Sequence, residues 1–152
     1  MKALWAAALL LLGGCAGGER PAVPAPIADA LPLGALPRQD LKASECAIFL
    51  WKTGEGARLL LVAWPDPPRA RVLLEGSQVD LPRLPESGDT PAAARDSHAR
   101  YGDGDTTLTL DLTIEARAGL TDGALIPFGS LAYEKRGGES IVVPVRGLLG
   151  CR

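Results

Sequence analysis

The chain has 152 residues, with 47% apolar and 22% charged side chains. That is one domain's worth of ordinary globular composition, and it excludes a fully disordered chain. Eighteen glycines and 13 prolines argue for short strands and many turns and against a helical bundle. A net charge of -2 with interspersed signs offers no basic stripe, so nucleic acid is excluded as a partner. A single histidine leaves a thin catalytic inventory, and the expectation is a non-enzyme without cofactor or metal.

Lys2 is followed by an apolar run over residues 3–12, the length of a secretory signal and too short to span a bilayer. The run ends in Leu12-Gly13-Gly14-Cys15, which resembles the lipobox of bacterial lipoproteins. The resemblance implies a signal peptide over residues 1–14 and a mature chain that begins at a lipidated Cys15. Three acyl chains, each methylene contributing about 0.8 kcal/mol, would then hold the protein on the membrane. Ala16 stands where an inner-membrane retention signal would place Asp. By the same resemblance, the outer membrane of a Gram-negative bacterium, on its periplasmic face, is the expected location.

Residues 15–37 are rich in Ala, Gly and Pro, with Pro21, Pro24, Pro26, Pro32 and Pro37 interrupting any helix or strand ladder. They read as a semi-extended tether before a β-domain over residues 38–152. The apolar side chains Leu31, Leu33 and Leu36 leave a second reading open, in which the end of this stretch docks on the domain as an arm.

Residues 46–51 and 58–64 are apolar runs flanking Thr53-Gly54-Glu55-Gly56, and they read as a hairpin in which Trp51 faces Arg58, Leu50 faces Leu59 and Phe49 faces Leu60. Both faces of that hairpin are apolar. The second face must therefore be covered by another sheet, by the Leu31 to Leu36 part of the tether, or by a partner protein. Pro65, Pro67 and Pro68 stop the second strand. A shorter hairpin follows over residues 70–74 and 79–84 around a turn at residues 75–78, with Pro82 confining the last strand to an edge. Residues 85–97 read as a surface loop. Residues 107–115 alternate with a period of two, Leu108, Leu110, Leu112 and Ile114 on one side and Thr, Asp and Glu on the other. Residues 130–135 and 140–145 give a final hairpin.

The fold class expected is all-β: a small antiparallel barrel or sandwich of seven to eight short strands. With Cys15 given to lipid, Cys46 and Cys151 remain at the two ends of the domain, and outside the cytoplasm that pair reads as a disulfide closing it.

Among candidate chemistry, His98 lies beside Asp96, Ser97 and Arg100 without any nucleophile elbow, and reads as a surface-loop histidine. Asp103-Gly104-Asp105 offers too few oxygens for calcium and reads as a turn. Trp51 and Trp64 fit either core packing or the lining of a ligand site. A lipobox, a small β-domain and terminal cysteines together resemble the membrane-bound inhibitors of c-type lysozyme, whose inhibitory loop carries Ser-Gly-x-x-Tyr. Ser97-His98-Ala99-Arg100-Tyr101 matches the Ser and the Tyr, with His98 in place of the Gly. That resemblance makes Asp96, Ser97, His98, Arg100 and Tyr101 a candidate binding loop. The wider pattern around Cys46 and Cys151 is similar to small Gram-negative envelope lipoproteins.

The functional expectation is a lipid-anchored periplasmic β-domain of non-catalytic binding or envelope-assembly type, with an envelope protein as partner. The alternatives are a lysozyme-inhibitor-like protein, which would project the loop around His98, and a carrier of a small apolar ligand, which would enclose a cavity of about 300 Å³ or more.

Overall fold

The computed structural model describes residues 31–85, 97–138 and 140–152. Eight antiparallel strands form one sheet: β1 (Cys46–Lys52), β2 (Leu59–Pro65), β3 (Pro68–Leu74), β4 (Ser77–Pro82), β5 (His98–Gly102), β6 (Thr106–Glu115), β7 (Gly123–Lys135) and β8 (Ser140–Cys151). Their order is β4-β3-β2-β1-β8-β7-β6-β5, so the first and last strands pair at the centre of the sheet. The two outer strands come back together where Arg83 bridges Tyr101 and the Leu84 N–H donates to the Arg100 carbonyl at 2.8 Å. The result is a nearly closed up-and-down barrel, and the sandwich alternative falls away.

Alternation along each strand decides what fills the barrel. Leu108, Leu110 and Leu112 of β6 point inward, while Thr107, Thr109 and Asp111 face out. Leu50, Leu61, Val72, Leu81, Leu131 and Val145 meet them from the other strands, each 1% exposed or less. Eight strands enclose a lumen just wide enough for side chains to fill, and these residues fill it. The walls approach closely at Gly147, opposite Leu50. A Cβ there would collide with the Phe49 carbonyl oxygen, so only glycine fits.

Cys46 and Cys151 are direct cross-strand partners of β1 and β8 and are joined as a disulfide across a sequence separation of 105. The bond ties the domain's two ends at the rim where the Ser44 N–H also donates to the Arg152 carbonyl at 2.6 Å.

Several local expectations are corrected. In the first hairpin Trp51 pairs Leu59, Leu50 pairs Leu61 and Phe49 pairs Val62, because a bulge between Leu50 and Trp51 takes up Leu60 as an extra residue. The second hairpin turns on two residues, not four: Glu75 (φ 49°) and Gly76 (φ 82°) both lie in the left-handed region, as a type I′ turn requires. Pro65 and Pro68 do not end the ladder but pair with each other around the Asp66-Pro67 turn. The last hairpin is about twice as long as the sequence reading had it, since β7 begins at Gly123 and β8 runs to Cys151. His98 lies in strand β5, not in a surface loop.

The apolar second face of the first hairpin is not covered by a second sheet. Residues 31–41 run over the barrel. Leu33 bridges Leu74 and joins the interior cluster together with Leu31, and the Gly34 and Leu36 N–H groups donate to Leu73 and Leu59 carbonyls, each at 2.8 Å. Leu36 and Leu41 then pack on Ala47, Val62 and Trp64 in a second cluster outside the barrel. The packed part of the chain therefore reaches back to Leu31, into the stretch read as tether. The signal segment, Cys15 and the start of the tether lie outside the described residues.

Candidate functional site

The arm is clamped at Trp64, which is 4% exposed. Alternation on β3 places Arg69 and Arg71 on the outer face, and their guanidinium carbons sit 4.3 and 5.2 Å from the Trp64 ring centroid. Asp80, across the strand pair on β4, accepts from Arg71 Nε at 2.6 Å and Nη2 at 2.8 Å. That bidentate bond holds the Asp80 carboxyl below the usual carboxylate range and raises Arg71. Arg71 Nη1 also donates to Gln39 Oε1 of the arm at 3.1 Å. Trp64 is thus a packing residue, and this cluster fastens residues 36–41 to the barrel wall.

Trp51 has a different setting. It stacks on Phe49 at 6.1 Å between ring centroids, the two rings sharing the outer face two residues apart. A shallow groove of about 360 Å³ separates it from the arm, with Leu36, Arg38, Phe49 and Leu59 as walls. On its other side a groove of about 400 Å³ runs to β7 and β8, walled by Leu125, Pro127, Arg146 and Leu148. The far wall exists because β7 bulges between Ile126 and Gly129, taking Pro127 and Phe128 out of register with β8 while Phe128 still pairs Thr113 of β6. Phe128 is 70% exposed and Leu148 41%. One outer wall, β1-β8-β7, thus carries an apolar strip of Phe49, Trp51, Leu125, Leu148 and Phe128, with Arg146 set among them beside Trp51. Strips of this kind, rimmed by polar residues, mark interaction surfaces.

The sequence reading reached Trp51 but missed Phe128 and Leu148. The signal was there, since residues 141–149 carry apolar side chains on both faces, but the sequence reading ended the strand at Val145.

The candidate loop resolves as follows. Asp96 lies outside the described residues. Ser97 precedes β5, and its carbonyl accepts from the Leu112 N–H at 2.6 Å. Along β5 the residues alternate: Tyr101 points inward and is 4% exposed, while His98 and Arg100 point out. The stretch from His98 to Tyr101 is therefore part of the barrel wall and does not project. His98 Nδ1 lies 2.6 Å from Asp111 Oδ1, both side chains about half exposed. Asp111 in turn pairs with Ser130 on β7, so the outer row reads His98, Asp111, Ser130. The aspartate stands between the histidine and the serine, an order that does not let the imidazole take a proton from the hydroxyl. Asp103 Oδ1 accepts from the Asp105 and Thr106 N–H groups at 3.0 and 2.9 Å, which depresses its carboxyl and uses it as the cap of the β5–β6 turn.

Inside the barrel, a cavity beside Ile48, Ala63, Tyr101 and Leu110 holds about 30 Å³, room for roughly one water. No group of three or more His, Cys, Asp or Glu is placed to hold a metal among the described residues. Comparison with known proteins found no matching family model, no matching curated protein and no matching solved structure.

Proposed function

We propose that the protein is a lipid-anchored periplasmic β-domain of the envelope that acts by binding another protein, with the Trp51 strip as its docking surface. The observation that carries this reading is the asymmetry of the barrel exterior. The β5-β6 wall is polar outside, whereas the β1-β8-β7 wall leaves Phe128 70% and Leu148 41% exposed in a domain whose other large apolar residues are mostly buried. Keeping such residues in water is costly unless a partner covers them. The lipid anchor rests on the Leu12 to Cys15 motif and on the location it implies.

The readings of an inhibitor and of a ligand carrier receive less support. The former needs a projecting loop where β5 lies in the wall, and the latter needs an interior space where leucines and valines meet.

Two measurements test the proposal. Fatty-acid labelling of wild type but not of Cys15→Ser, with the wild type in the outer-membrane fraction, is the expected result for the anchor. Equal labelling refutes it. Photo-crosslinking in cells from position 51, against position 109 on the polar wall, tests the surface: one discrete protein adduct from 51 alone is expected, and equal yields from both overturn the assignment.

A further inference from the structure

We infer that the groove between Trp51 and the β7 bulge takes an apolar peptide segment that carries one carboxylate, paired with Arg146. The inference rests on the docking reading above and adds the chemistry of the partner.

Two grooves flank Trp51, and their charges differ. On the arm side the cation is Arg38, and its Nε already meets Asp40 Oδ1 at 3.1 Å. On the β7 side it is Arg146, the cross-strand neighbour of Trp51, exposed, its guanidinium without a hydrogen bond or ion pair among the described residues. The other side chains that face this groove are apolar, Trp51, Leu125, Pro127 and Leu148, and Ile126, which also borders it, is fully buried. A guanidinium presents a planar fork of donors that matches a carboxylate, and apolar walls lower the local dielectric and strengthen such a pair. The groove is an open depression of about 400 Å³, so an occupant lies along the wall and is not enclosed by it. Charge complementarity thus selects an anionic occupant, and the walls select apolar neighbours for the anion.

The test uses the full chain, ¹⁵N-labelled and reconstituted in phosphatidylcholine nanodiscs, titrated with the N-acetyl tripeptide Leu-Phe-Leu and with its C-terminal amide. The readout is the Trp51 indole signal, with the Trp64 indole as a control for the intact fold. The expected result is a saturable Trp51 shift with the carboxylate peptide and at least tenfold weaker binding of the amide. Arg146→Gln is expected to bring the two peptides to the same weak affinity without moving Trp64. Equal binding of both peptides to wild type overturns the role of Arg146 while leaving the docking surface standing. No Trp51 shift with either peptide, or a Trp51 signal already perturbed by the nanodisc lipid and indifferent to peptide, overturns both the inference and the protein-docking reading.

Discussion

The β5-β6 wall and the β1-β8-β7 wall belong to one barrel and share one interior, yet they meet water differently. On β6 each inward leucine alternates with an outward Thr or Asp, and the wall is complete as it stands. On β1 the outward residues are Ala47, Phe49 and Trp51, and on β8 they include Val142, Pro144 and Leu148. The arm covers Ala47, Val62 and Trp64, and stops short of Trp51. The comparison separates two reasons for an apolar residue to be there. Inward residues and those under the arm hold the fold, whereas the Trp51 strip carries exposed apolar side chains that we propose serve a partner.

Breaking the shared interior has the largest expected effect. Leu50→Ala removes a fully buried side chain and should cost about 2–5 kcal/mol, while Thr109→Ala on the polar wall should stay within about 0.5 kcal/mol, both read from urea denaturation. Replacing Cys46 and Cys151 together by Ser opens the link across a sequence separation of 105 and should cost about 2–5 kcal/mol.

The arm comes next. Leu36→Ala should lower stability by about 2 kcal/mol and raise the binding of an apolar dye, since Val62 and Trp64 lose part of their cover. A variant that keeps full stability and binds no more dye would show that the arm holds nothing.

Acidification weakens the same clamp by a smaller step. Asp80 has its carboxyl depressed in the folded state by the Arg71 hydrogen bond, so its contribution is fully present above the unfolded value of about 3.9 and is lost as pH falls through the folded one. The Asp80 side chain is 38% exposed, and solvent screening keeps the effect below about 1 kcal/mol. Asp80→Asn should remove that acid-limb dependence and leave a flatter stability profile below pH 5.

The smallest effect on stability belongs to the strip. Phe128→Ser should change it by no more than about 0.5 kcal/mol, because the ring packs on little.

Much of this contrast was legible in the sequence. The unbroken period of two over residues 107–115 marks a half-solvated wall, and the double-sided apolar pattern of residues 46–64 marks a face in need of cover. The pairing of Cys46 with Cys151 followed from their even number and terminal placement. What could not be read was anything that depends on an inserted residue. The bulge at Leu60 shifted the first hairpin's register, and the bulge that exposes Pro127 and Phe128 looks, in sequence, like an ordinary Gly- and Pro-containing turn. Nor did periodicity show that Tyr101 turns inward, since a five-residue strand next to a polar loop carries too few repeats to set a phase.

The central claim is that the Trp51 strip serves a partner and not the fold, and photo-crosslinking from position 148 in a Trp51→Ser background tests it most directly. The account predicts that the adduct formed from position 148 in the wild-type chain disappears, while the thermal midpoint of the domain falls by no more than about 5 °C. An adduct that persists unchanged, or a midpoint that collapses as it does for Leu50→Ala, would contradict it.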